Sequence, residues 1–596
     1  MLGLGIITTG SLSGTSVSDG FGMYVLTFIV YQVLGIVLMV FARFLIDKIV
    51  LRKINTAKGI VEDMNISVAC VEGAAVISCT VLISTSASGD GPSLNLGMDL
   101  GATILYFILG QVLLIGQLLA IDAASKYFQT YTEQHTTPLQ EGGERPPARP
   151  TFSKEISSVD EESSPNVAAG LSYGLEMVVT ALIIAIPIRV GYSLLAAVIW
   201  VSIMLLAVMP LVHVFADKLV LRTASAADNI LVHQNWGASI VIGVIKFSFA
   251  LVANGVYQQN CSIAAGASPY SECNQKDLPA AAAAEVAAPL GDRLVHAAVP
   301  DIFKFQSLVD VVVLLFLVLG AKFMLSLRMT LRQGVGNARR EVMSSFSLDA
   351  YLVSRSNNAV AISLAGYIIA VAMALTGVID CPDANVGMHG LWVIVYTSFG
   401  MVLLFCAQQI NHHVLLRTID NSEELLKDNI AVACMEAGSL IACGRIMQAV
   451  LSGSSDSVEE GFATILLYWV SGQLILLLFS VCYRMITSFN DEAQIKAGNV
   501  AVGLSSGLTL VAVSFVITSP IMKYASYFIF LLVSFVGLAL LILLRVVVDR
   551  AVLPGDTLDG EMQQRNWGAA LIEGAAAFSI AIVLDIFQYA PDDNTC

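Results

Sequence analysis

Asp428-Asn429-Ile430-Ala431-Val432-Ala433-Cys434-Met435-Glu436-Ala437-Gly438 is a polar step into an apolar helix that carries a carboxylate about two turns in. The pattern recurs. Units headed by Asn65 (NISVACVEG), Asn166 (NVAAGLSYG), Asn235 (NWGASIVIG), Asn358 (NAVAISLAG), Asn499 (NVAVGLSSG) and Asn566 (NWGAALIEG) bring the copies to seven. Each has Asn, then small residues, then a Gly eight positions on, except that the Asn429 copy has Ala437 there and its Gly one later. A repeat of this kind decides the architecture ahead of any local signal.

The composition sets the class. Of 596 residues, 56% are hydrophobic and 13% charged, against about 25% charged in an average soluble domain. The mean hydropathy is +0.77. Apolar runs long enough to cross a hydrocarbon core of about 30 Å recur from end to end. They give fourteen spans, from Phe21–Ile46 to Asn566–Phe587. The expected fold is an all-α polytopic membrane protein, its spans arranged as repeated two-helix hairpins in a quasi-symmetric bundle.

Each hairpin is a plain apolar helix, a polar loop and an Asn-led helix. The units also pair at a longer period. NISVACVEG resembles NIAVACMEAG, and GATILYFILGQ (Gly101–Gln111) resembles FATILLYWVSGQ (Phe462–Gln473). The expected organisation is a first block over residues 1–257, a non-cytoplasmic loop over 258–302 and a second block of four hairpins over 303–596. Within the first block the opening LGLGIITTGSLSG reads as the back of a hairpin cut short at Met1, and three full hairpins follow. Loop 128–165, Pro-, Ser- and acid-rich from Gln140 to Pro165, reads as disordered.

The formal charge is −15, but the acids cluster in loops such as Ser153–Ser164 and Ser452–Glu460, which makes them solvated loop residues. No basic stripe with interleaved aromatics occurs, which excludes a nucleic-acid partner. HExxH, GxSxG and phosphate-loop patterns are absent, so no enzyme chemistry, cofactor or metal is expected. Lys and Arg concentrate in the loops inside hairpins, which the positive-inside rule places on the cytoplasmic side of a plasma or organelle membrane. The opposite side carries the sequon at Asn260, a candidate glycosylation site, and Cys261 and Cys273, a candidate disulfide.

Glu72, Glu436 and Glu573 stand seven residues after their leading Asn. A carboxylate inside the membrane costs about 2.5–3.5 kcal/mol on insertion scales, so it faces a bundle interior or water and marks a pathway by default. Lys246 either neutralises a Glu from another repeat, the favoured reading, or snorkels if it faces the rim, and it joins the pathway set. The alternative is that each Glu is hydrogen-bonded to a neighbouring helix and fixes packing. The leading Asn residues suit helix capping better than a substrate contact. Gln111 and Gln473 are buried amides suited to interhelical hydrogen bonds.

Asn358-Ala359-Val360-Ala361 with Gly366, Asn429-Ile430-Ala431-Val432-Ala433 with Glu436 and Gly438, Asn499-Val500-Ala501-Val502 with Gly507, and the helix ending in Gln473 together resemble the small bacterial inner-membrane proteins typified by YjfL. That is a family of unknown function built from about two such hairpins. The resemblance implies four tandem family domains, the first truncated, and supplies no activity. The leading functional expectation is a channel or carrier for protons or small cations that uses the intramembrane glutamates. The alternative is a non-catalytic structural or membrane-stress scaffold. The expected partners are the lipid bilayer and, for transport, those ions.

Overall fold

The computed structural model describes residues 2–13, 21–52, 56–88, 96–135, 156, 165–189, 194–223, 225–264, 305–333, 347–379, 386–452, 458–523, 526–551 and 557–587. Asn260 and Cys261 fall in a helix whose side chains there lie outside the described set, as does all of Cys273 and nearly all of loop 128–165 beyond His135. Among the described residues every regular element is helical, and fourteen helices are long and apolar enough to span a membrane.

Chain contacts divide the protein into two units, Gly14–Phe247 with Val353–Ser356, and Met1–Ser13, Ser248–Leu352 and Asn357–Cys596. These packing units are not the sequence blocks 1–257 and 303–596. The short helix α1 (Leu2–Ser13) belongs to the carboxy-terminal unit because Gly5 seats against Ser579 there.

The amino-terminal unit holds flanking helices α2 (Phe21–Ile49), α5 (Leu96–His135) and α7 (Leu195–Leu221), with the Asn-led core helices α4 (Ile66–Ser88) and α6 (Val167–Arg189). Short helices α3 (Thr56–Val61) and α8 (Ala226–Leu231) precede core helices, and α9 (Trp236–Ala264) contributes its part up to Phe247. Core packs on core through small residues. Gly170 lies on the backbone of Ser67, and Leu175 covers Gly243.

The carboxy-terminal unit repeats the scheme at greater length. Its flanking helices are α10 (Phe305–Gln333), α13 (Val386–Leu415), α16 (Val458–Ile486) and α19 (Tyr527–Ala551), and its core helices are α12 (Asn358–Ile379), α15 (Ile430–Leu451), α18 (Val500–Lys523) and α21 (Trp567–Phe587). The turn α11 (Ala350–Ser354), of which Ala350 to Leu352 belong to this unit, and the short helices α14 (Asn421–Leu426), α17 (Asp491–Lys496) and α20 (Leu558–Gln563) precede those core helices. The core helices pack in sequence order, α12 on α15, α15 on α18 and α18 on α21, while each flanking helix lies against them. The membrane windows of α12 and α15 are each 83% buried, against 33% for α13 and 29% for α19. Flanking helices therefore turn residues such as Leu467, Leu474, Phe528 and Phe535 outward, as a lipid-facing surface requires.

The glycine eight or nine places into the unit is explained by this packing in six of the seven copies, Gly73 being the exception. Gly438 meets the backbone of Gly507, and Gly366 meets Ala437, where a Cβ would come within 2.6 Å of the Ala437 Cα. Backbones that approach this closely gain dispersion contacts, which drive helix association in lipid.

Each core helix begins in one way. Immediately before the capping Asn stands a left-handed residue in six copies: Met64, Gln234, Ser356, Asp428, Gly498 and Arg565. The Asn side chain then accepts from the amides two or three residues on, as Asn65 Oδ1 does from Val68 and Asn429 Oδ1 from Ala431 and Val432. In one copy this corrects the sequence reading. The capping side chain is Asn357, which accepts from the Val360 amide at 2.8 Å, and Asn358 is the residue after it. Ser356 takes the left-handed turn, so the Asn next to it is the one in capping geometry.

Candidate functional site

The capping asparagines do a second job that links consecutive repeats. While Oδ1 caps its own helix, Nδ2 donates to the last carbonyls of the short helix in the following repeat. Asn166 reaches Ile230 O and Leu231 O, Asn357 reaches Leu425 O and Leu426 O, Asn429 reaches Ile495 O and Lys496 O, and Asn499 reaches Met562 O at 2.9 Å. Asn65 reaches Ile156 O. The carbonyls at a helix end lack an intrahelical partner. One amide thus satisfies a helix start and a helix end in different repeats. Asn566 instead donates to Glu561 of its own repeat, and Asn235 Oδ1 accepts from Ala238.

About two turns further in, the carboxylates meet cations. Glu436, 3% exposed, is gripped by both Nη atoms of Arg328 from α10, at 2.7 and 3.0 Å. It also accepts from Ser363 Oγ on α12 at 2.7 Å, Gln408 Nε2 on α13 at 3.3 Å and Asn421 Nδ2 on α14 at 3.2 Å. Tyr367 donates to Gln408 Oε1 at 3.1 Å and fixes the orientation of that amide. Four elements besides its own therefore converge on one carboxylate, and the bidentate Arg pair is the strong geometry for such a contact.

Glu573 has a different set. Tyr483 Oη from α16 donates at 2.8 Å, Ser505 Oγ from α18 donates to the other oxygen, and Arg545 Nε from α19 lies at 3.5 Å. The Arg545 guanidinium stacks 4.3 Å from the Tyr483 ring and gives its closest contact, 2.6 Å, to Asp559 of α20. In the amino-terminal unit Glu72 pairs with Arg43 Nε of α2 at 2.6 Å, and that Arg side chain is 57% exposed. Lys246 of α9 pairs with Glu176 of α6, also at 2.6 Å.

Within the carboxy-terminal unit the structure keeps Glu436 and Glu573 apart, on α15 and α21 with separate partners. Lys246 meets Glu176 and none of the three repeat glutamates. Gln111 Oε1 accepts from Cys79 Sγ at 3.9 Å and Gln473 Oε1 from Cys443 Sγ at 3.4 Å, one contact repeated in both copies of the duplicated block. Among the described residues no group of three or more His, Cys, Asp or Glu is placed to hold a metal.

The arginines were the missing half of the sequence reading. Arg43 and Arg545 stand inside apolar runs, FARFL and LILLRVVV, where an unpaired guanidinium would be costly. That signal asks for a carboxylate on a neighbouring helix. Arg328 reads as a loop residue only if the span stops at Leu325, but α10 continues to Gln333.

The repeat recognised in the geometry matches one family model four times, over residues 1–87, 153–257, 306–451 and 457–586. The chain belongs to the family described as Domain of Unknown Function (DUF350). A UPF0719 transmembrane protein of Aquifex aeolicus (strain VF5) is 22% identical to it over 242 residues, 40% of this chain and 88% of that protein. No solved structure matches. The DUF350 matches take in all three repeat glutamates, the flanking-helix arginines paired with them, and every capping Asn. The chain is a multi-pass helical membrane protein made of four DUF350 regions.

Proposed function

We propose that this chain is a non-catalytic membrane scaffold whose DUF350 repeats are locked to one another by buried ion pairs and bridging asparagines. One observation carries the reading. Glu436 is fully engaged by fixed protein donors from α10, α12, α13 and α14, a constellation that holds helices in register. A permeation carboxylate needs coordination left over for its ion, and here the guanidinium of Arg328 takes the place of that ion. The basic loops inside hairpins face the cytoplasm in this reading, and the repeat is kin to the YjfL-type two-hairpin proteins.

A second reading keeps the transport expectation, with Glu72, Glu436, Glu573 and Lys246 serving protons or small cations. It is favoured by the cavity beside Glu573, where a carboxylate, a hydroxyl and a guanidinium share one small chamber.

Proton and monovalent-cation flux into liposomes separates the two. The parent is compared with a variant carrying Glu72→Gln, Glu436→Gln and Glu573→Gln, and the melting temperature is read beside it. A scaffold gives no flux in either protein and a sharply lowered melting temperature in the variant, because Glu436→Gln leaves the buried Arg328 guanidinium without its carboxylate. Flux in the parent that vanishes in a folded variant would overturn the scaffold.

A further inference from the structure

A cavity of about 20 Å³ lies between α16, α18, α19 and α21. Its wall is largely apolar, with Phe479, Leu541 and Ile542 among the lining residues, but four polar groups share it: Tyr483, Thr509, Arg545 and Glu573. Two of these have an atom without a protein partner. Arg545 is 9% exposed and its Nη1 makes no hydrogen bond; Thr509 is 6% exposed and its Oγ1 makes none. A buried donor left in this condition is destabilising, and more so when charged. Both residues line the one chamber, which points to a ligand between them.

Size and charge identify its class. A single water needs roughly 10–15 Å³ and two to four polar partners, and this chamber meets both conditions. A metal cation is repelled by the guanidinium. An anion is not drawn in, because Glu573 and Asp559 already oppose the one charge of Arg545. We propose that this cavity binds one ordered water molecule, which accepts from Arg545 Nη1, hydrogen-bonds Thr509 Oγ1 and lies beside the Glu573 carboxylate. Glu573 then has water beside its carboxylate, whereas Glu436 is sealed by protein donors. The inference stands whether the chain is a scaffold or a carrier.

The test uses the unaltered full chain in bilayers. Water-edited solid-state NMR on threonine-labelled protein should show early magnetisation transfer to the Thr509 methyl and none to Thr518, which is fully buried and donates to Phe515 O. Thr509→Val gives a second reading whose sign decides. With water present the substitution strips the water of a partner and lowers the melting temperature by several degrees. In a dry cavity it removes an unpartnered hydroxyl and raises the melting temperature. Absence of transfer at Thr509 overturns the proposal whatever the variant does; transfer with a lowered melting temperature establishes it.

Discussion

Glu436 and Glu573 stand seven residues after their capping asparagines on two core helices of one unit, yet their surroundings differ. At Glu436 the cation comes from the preceding hairpin, on α10, and the flanking helix of its own hairpin supplies the amide of Gln408. At Glu573 the cation comes from its own hairpin, on α19, and the preceding hairpin supplies the hydroxyl of Tyr483. Gln408 and Arg545 are both 21 residues ahead of the capping Asn, so one register position carries an amide in one copy and the charge in the other. These two copies share a carboxylate that must be neutralised and differ in which neighbour does so. The first arrangement fills its site; the second shares Arg545 with Asp559 and leaves room for a water-sized chamber.

The largest expected effect tests that contrast directly. Glu436→Gln strands Arg328, 7% exposed, with no second carboxylate among its hydrogen-bond partners, and should destabilise the protein by about 3–5 kcal/mol. Glu573→Gln leaves Arg545 paired with Asp559 and should cost about 1–2 kcal/mol. Thermal unfolding of the two single variants in one detergent gives the comparison, and equal losses would break it.

The next effect belongs to the Glu573 side and depends on pH. Asp491 begins α17, outside the spans, and burial raises its carboxyl to about 6 from an ordinary 3.8. The folded pKa lies above the unfolded one. The penalty for ionising Asp491 is therefore absent below about pH 4, grows as pH rises and is complete above about pH 6. It amounts to up to about 3 kcal/mol. Stability should fall between pH 4.5 and pH 7 by about 2 kcal/mol, and the melting temperature with it, and Asp491→Asn should flatten the fall. A variant with the parent's pH profile would remove Asp491 as its source.

Helix contacts give the smaller pair. Gly438→Ala drives a Cβ into the Gly507 backbone and should cost about 1–3 kcal/mol. Gly73 of α4 holds the repeat's eighth place, one step before the place of Gly438 in its own copy, and an added Cβ there meets nothing within 4 Å, so Gly73→Ala should gain about 0.5–1 kcal/mol from helix propensity alone. Melting curves of both decide whether the repeat glycine is a contact residue in every copy.

Much of this was legible in the residues. Apolar length fixed the fourteen spans, since a segment either crosses a hydrocarbon core or does not, and recurrence of the Asn-led unit fixed the hairpins. The three glutamates stood out because an ionisable group in such a run is costly wherever the helix goes. The bridging role of the asparagines was not legible, since Nδ2 reaches carbonyls 63 to 69 residues away for Asn166, Asn357, Asn429 and Asn499. Nor was the choice between Asn357 and Asn358, which rests on the left-handed turn at Ser356 rather than on either side chain's chemistry.

The sequence by itself thus determined which segments enter the membrane and which carboxylates must find a partner there, because burial in lipid is a property of a segment's own composition. Only the tertiary structure decided the partners. Arg328 finds Glu436 across 108 residues because α10, α12, α13 and α14 converge on α15, and Arg545 divides itself between Glu573 and Asp559 because α20 brings Asp559 within 2.6 Å of it. Such pairings follow from helix register and rotation, which close packing of small residues sets between helices and no single helix encodes alone.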